Sequence, residues 1–242
     1  MRFFKVSILV LVMLGWSEIV LAQTRRPRVR QTPPRTSDIS NADISSGLKD
    51  ALFQGVRNAV DDLGRENGFL DNTRVKIPLP KSLQKLEKTL RFAGQGDKVD
   101  EFVEAMNHAA ERDVPEATDI FVDSIKQMTF TDARNILFSG QEDAATQFFR
   151  RTSEIRLRQK FRPIVEDFTA EVGVTQKYKQ MIGSYGFLGK IVGQDAGDLD
   201  GYVTQKALDG LFLLVADEEK KIRRDPIGRK TGILRRVFGI LR

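Results

Sequence analysis

The sequence predicts an all-α protein, a multi-helix bundle built around a central apolar helix near residues 202–224. Three observations predict it. Apolar residues recur at three- and four-residue steps along most of the chain, and no segment alternates long enough to pair into a sheet. Leu208 to Ala216 is apolar except for Asp209 and Gly210, and a helix apolar on every side belongs in the middle of a bundle.

Taken in order, the chain opens with the three elements of an export signal: basic Arg2 and Lys5, an apolar run Val6 to Trp16, and Val20-Leu21-Ala22. Cleavage is expected after Ala22, leaving Gln23 first. Ser17 and Glu18 break the apolar run well short of the roughly 20 residues that span a membrane. Residues 24–36, TRRPRVRQTPPRT, hold five arginines and three prolines with no acid. Such a stretch cannot bury a core, so residues 23–37 are expected to be a disordered basic linker and residues 38–242 a single helical domain.

In that domain Ile44, Leu48, Leu52, Val56, Val60 and Leu63 form one helical stripe, and Gly64 is its stop. Pro78 and Pro80 forbid continuous helix in the next stretch. There Val75, Ile77 and Leu79 alternate with polar or proline residues, which predicts an extended connector whose apolar side chains tuck against the bundle. Helical spacing resumes at Leu83, Leu86 and Leu90, breaks at Gly94-Gln95-Gly96, and continues at Val99, Phe102, Val103 and Met106. Pro115 suits the first turn of a helix carrying Ile120, Phe121, Ile125 and Met128. Thr129 and Asp132 have capping-box spacing for a short helix to Leu137. Residues 143–158 and 163–172 read as helical, separated by Pro163 at a helix start or a kink, with Phe148 and Phe149 in a core stripe alongside Ala145, Thr152 and Ile155. Six glycines make 183–201 a loop region around Phe187 to Val192.

The strings VKIPLP at 75–80, DAATQFFRR at 143–151, YVTQKALDGLF at 202–212 and EEKKIRRDP at 218–226 resemble those of a bacterial family, domain of unknown function 4197. The resemblance spans roughly residues 40–240. It implies export and helical content, brings no established activity, and implies a periplasmic location where the host has two membranes.

The net charge of +6 comes from the ends. Residues 220–242 hold nine basic side chains against Asp225, whereas residues 37–219 hold 23 basic and 31 acidic ones, a net of −8. There is no cysteine, which excludes disulfides, a cysteine-linked lipid and a cysteine nucleophile. His108 is the single histidine. With Glu104 and Glu111 on one helical face it has the look of a metal site, but a dinuclear helical site needs a second histidine, so solvated charges and no metal are expected. A Ser-His-Asp site would have to use His108 without a nucleophile elbow, and no catalytic set is assigned. Asp195, Asp198 and Asp200 before Gly201 resemble a calcium loop, but Ala196 and Ala207 stand at two of its ligand positions. Gly183, Gly186 and Gly189 follow no strand and are not a dinucleotide fingerprint. No cofactor is expected.

Thr204, Gln205, Lys206 and Asp209 are the polar candidates for ligand binding, with Lys206 and Asp209 spaced to meet on one helix and Gln205 one turn before Asp209. The competing reading is that they satisfy helix ends and neighbouring backbone. Arg150 and Arg151 beside Phe148 and Phe149 mix basic and aromatic residues, but the phenylalanines fit the core and no nucleic-acid partner is expected. Lys220, Lys221, Arg223 and Arg224, with Arg235 and Arg236 of an amphipathic segment at 231–242, form a candidate surface for an anionic membrane or an envelope protein. That segment docks either on the bundle or on the membrane. The favoured function is an exported, non-catalytic envelope module for binding or structure. A carrier of a lipid or other apolar ligand comes second and a hydrolase third.

Overall fold

The computed structural model describes residues 41–171 and 198–224. The described elements are helices: α1 (Asn41–Gly64), α2 (Gln84–Phe92) entered through a 3-10 turn at Lys81–Leu83, α3 (Gly96–Asp113), a 3-10 turn at Val114–Glu116 leading into α4 (Ala117–Gln127), α5 (Phe130–Phe138), α6 (Ala144–Glu171) and α7 (Leu199–Arg224). No strand occurs among the described residues. The all-α bundle is the observed architecture.

Local signals set the boundaries. Gly94, at φ +74°, takes the left-handed turn that separates α2 from α3. Pro115 sits where its missing N–H is not needed, in the turn before α4. Thr129 caps α5 reciprocally, accepting from the Asp132 N–H at 3.1 Å while its own N–H donates to Asp132 Oδ2 at 2.9 Å. The short acid reaches far enough to close the box.

Helix α7 packs against α6, α1 and α3. Val203, Ala207, Leu208 and Leu211 have no exposed surface, so the predicted central helix is found, beginning three residues before the expected start at 202. It runs antiparallel to α6: Glu219 near its end meets Thr146, and Asp200 near its start meets Thr169. Phe121 lies edge-on to both Phe149 and Phe212, with ring centroids 5.1 and 5.9 Å away, which locks α4, α6 and α7 together.

Three expectations need correction. Pro163 does not divide its segment into separate helices; it lies inside a continuous 28-residue α6, which is also longer than α7. Pro163 is on the exposed side, where a lost backbone bond is met by water, while Leu157, Phe161 and Val165 hold the opposite face at zero exposure. Thr152 is exposed and Ile155 is 74% exposed rather than in the core stripe. The buried row instead steps by four through Phe149, Ser153, Leu157, Phe161 and Val165, and Ile155 stands about 200° around the helix from its neighbours in that row. Third, Glu111 is not a solvated charge. It is 5% exposed, and its carboxylate accepts the N–H groups of Asn67, Phe69 and Leu70 at 3.1, 2.9 and 3.1 Å. The glycine-rich region up to residue 197, the linker and the 231–242 segment lie outside the described residues.

Candidate functional site

The connector after α1 is the starting point. Its alternation turns Val75, Ile77 and Leu79 inward, at 6, 0 and 6% exposure, and leaves Arg74, Lys76 and Pro78 outward. Buried Asn107 of α3 reads Ile77 as a neighbouring strand would: Asn107 Oδ1 accepts the Ile77 N–H at 2.8 Å and Asn107 Nδ2 donates to the Ile77 carbonyl at 3.0 Å. The Tyr202 hydroxyl donates to the Pro78 carbonyl at 2.9 Å, and burial raises that phenol's pKa above its ordinary value, so it stays a donor. Gly210 lets the connector lie directly on α7, since a Cβ there would stand 2.8 Å from the Phe69 ring and 3.2 Å from Val75.

Between this connector, the first turns of α6 and one face of α7 lies a cleft of about 350 Å³. Arg74, Lys76 and Pro78 form one wall; Asp143, Thr146 and Arg150 form the other. Lys206, Asp209, Gly210, Leu213 and Ala216 lie along the floor, spaced as one helical face. The α6 wall is fixed by Glu219, which is 4% exposed and accepts the N–H of Ala145 at 2.9 Å, the N–H of Thr146 at 2.8 Å and the Thr146 hydroxyl at 2.9 Å. Arg223 holds the same carboxylate at 2.6 Å.

Each charge in the cleft has a describable state. Arg74 pairs with Asp217. Arg150 lies 4.4 Å from the Phe212 ring centroid and 3.5 Å from Glu154. Asp143 accepts from the Gln147 side chain and Asp209 from the Gln205 side chain, both at 3.0 Å. Lys206 does not pair with Asp209 as its spacing allowed; its ammonium stands 5.9 Å from the Tyr202 ring centroid. Lys76 makes no ion pair with the described residues, its charge reaching Asp100 only through space.

Of the four polar candidates on α7, Lys206 and Asp209 therefore line the cleft. Gln205 bridges Arg158 and Asp209 beside it. Thr204 does not reach it: it is 1% exposed and its hydroxyl has no hydrogen-bond partner among the described residues. Arg74, Lys76, Asp143, Thr146 and Arg150 were not expected. The signal that could have found the first two was the alternation in the connector, which fixes an outer face as surely as an inner one.

The other candidate groups are engaged elsewhere. His108 meets Glu111 through Nδ1 at 2.7 Å and Glu104 through Nε2 at 3.4 Å. Burial disfavours its protonation, but the hydrogen bonds and charges of those two carboxylates outweigh it and raise its pKa. Asp198 caps α7, accepting the Gly201 N–H at 2.9 Å, and pairs with Arg162 at 3.1 Å; Asp200 accepts from Thr169 at 2.7 Å. On the basic end of α7, Lys221 pairs with Glu218, Arg223 with Glu219 and Arg224 with Glu142. Arg235 and Arg236 lie outside the described residues.

Chemically, the cleft offers charge and shape but no paired nucleophile and base among these residues. Its hydroxyl, Thr146, is bonded to a carboxylate already filled by two backbone N–H groups and an arginine. A family model described as "Protein of unknown function (DUF4197)" matches residues 38–239. No curated protein and no solved structure matches the chain.

Proposed function

Because the chain belongs to the DUF4197 family, whose function is unknown, no activity comes to it from relatives, and we propose from its own geometry that it is an exported, non-catalytic module that binds a small molecule in the α6–α7 cleft. The observation that carries this reading is how the cleft is built. Asn107, Tyr202 and Glu219, three side chains outside its lining, hold its two walls, and preorganised walls are what a binding site needs and a mere surface furrow does not. The basic residues at the end of α7 support an envelope-surface role less well, since three of the four are already paired with acids of this chain. Export rests on the signal at residues 1–22, and sequencing the protein isolated from its host should find Gln23 first.

A thermal-shift screen of small metabolites on the full chain tests the binding reading. Ligands are expected that raise the melting temperature of the wild type and lose the effect in Arg150→Glu. Stabilisation that survives this change, or turnover of a ligand to product, would sink it. An apolar molecule that copurifies and stays bound in Arg150→Glu would favour the carrier instead.

A further inference from the structure

Given that the cleft is the binding site, its lining also points to what it takes. We infer that the ligand is a small organic anion, a phosphate or carboxylate on an apolar body, with its anionic group between Lys76 and Lys206 and its body over Leu213.

The lining has four cations, Arg74, Lys76, Arg150 and Lys206, against two acids, Asp143 and Asp209. Both arginines already face carboxylates, and both acids already accept from neighbouring glutamines. The cations left without an ion pair among the described residues are the two lysines, Lys76 and Lys206, which makes them the groups open to an anion. Residues 37–219 carry a net of −8. Lys76 and Lys206 are thus two open cations on a body of net negative charge, and a concave low-dielectric wall strengthens their field.

Register places both lysines at one end. Lys206 is one turn from Tyr202 on α7, and Tyr202 holds the carbonyl of Pro78, two residues from Lys76 on the same outward row of the connector. From there the floor runs through Gly210 and Leu213 toward Ala216, where Arg74 and Asp217 form a pair. Leu213 is 36% exposed, whereas Leu208, Leu211 and Phe212 of the same apolar run are at most 1% exposed. The helix thus leaves an aliphatic side chain open on the cleft floor. Lysine is a point charge that accepts either carboxylate or phosphate geometry. A volume of about 350 Å³ suits one small molecule rather than a polymer.

The test is an amide-shift titration of the full chain with phenyl phosphate, benzoate and uncharged benzamide. Both anions are expected to move the signals of Lys76, Lys206 and Gly210. The double variant Lys76→Gln/Lys206→Gln should weaken them by about ten-fold or more, as should added salt, while Lys98→Gln on α3 changes nothing. Tighter binding of phenyl phosphate assigns a phosphoryl ligand, and tighter binding of benzoate a carboxylate. Benzamide shifts of equal size that ignore the lysine changes would overturn the anion while leaving the cleft a binding site. No shift from any of the three would overturn both.

Discussion

Glu219 of α7 and Thr146 of α6 are 73 residues apart and share three hydrogen-bonding atoms: one glutamate oxygen takes both the backbone N–H and the hydroxyl of Thr146, at 2.8 and 2.9 Å. A helix N-terminus leaves its first N–H groups without partners. Here the cap comes from another helix, so closing the start of α6 also docks it on α7. Glu111 does the same for the turn at Asn67 to Leu70.

Removing the Glu219 carboxylate should therefore cost more than a surface charge would. Glu219→Ala leaves two buried N–H groups and a hydroxyl without their acceptor and breaks the ion pair with Arg223, which keeps the Ile136 carbonyl, and a loss of about 3 kcal/mol is expected in urea unfolding. Lys221→Ala, at an exposed ammonium, should change stability by about 0.5 kcal/mol or less. Equal effects would mean that the Glu219 contacts are not formed in solution.

Asp113, at the end of α3, has no exposed surface, and neither of its carboxylate oxygens has a hydrogen-bond partner among the described residues. Burial, reinforced by nearby Glu116, raises its pKa to about 8. The sign follows from linkage: the folded state holds a proton that the unfolded state releases near pH 3.8, so stability falls as pH rises from about 4 to about 8, by at most about 1.4 kcal/mol per unit. His108, also raised, adds to the loss as pH climbs through its folded pKa. Asp113→Asn should remove most of the slope, so that its melting temperature exceeds that of the wild type at pH 8 and matches it near pH 4. Parallel curves for the two proteins would show that Asp113 is hydrated.

Gly210 separates two opposed effects. In a helix interior, alanine is favoured over glycine by about 1 kcal/mol. The new Cβ, however, would stand 2.8 Å from the ring of Phe69, itself fully buried, and 3.2 Å from Val75. Neither can move without lifting the connector. Gly210→Ala is expected to destabilise by about 1–3 kcal/mol and to disturb the amide signals of Arg74 to Pro78. A stabilised variant would show that the connector is loosely held.

Much of this fold was legible because it is local. The α1 stripe from Leu48 to Leu63, the Thr129 cap, the Gly94 break and the inward face of the connector each depend on residues a few places apart, and each is found. The errors on α6 came from weighing Pro163 and Ile155 locally, when contacts with α7 decide which face is buried. The cleft was half legible. Lys206 and Asp209 stand out as polar groups beside an apolar run, but Asp143 and Arg150 reach them only because Glu219 ties distant stretches of the chain together. The EEKK string is a case in point: its lysines belong to the expected basic surface, while its two glutamates, to which the sequence assigns no role, are buried acids that organise the bundle.

Thr204 gives the last prediction, because its two readings differ in sign. Its hydroxyl is buried, at 1% exposure, and without a partner among the described residues, although it stands in the polar string at the start of α7. A buried hydroxyl without a partner costs about 1–3 kcal/mol of desolvation, and valine has nearly the same shape without that cost. If Thr204 only fills space, Thr204→Val should stabilise the protein by about 1 kcal/mol in urea unfolding and leave the cleft's binding of small anions unchanged. Thr204→Ala should instead lose stability through the cavity it leaves. A Thr204→Val variant that is less stable than the wild type would mean that a buried water satisfies the hydroxyl. One that keeps its stability but loses binding would place Thr204 in the site after all, reached by a ligand that penetrates below the floor set by Lys206 and Asp209.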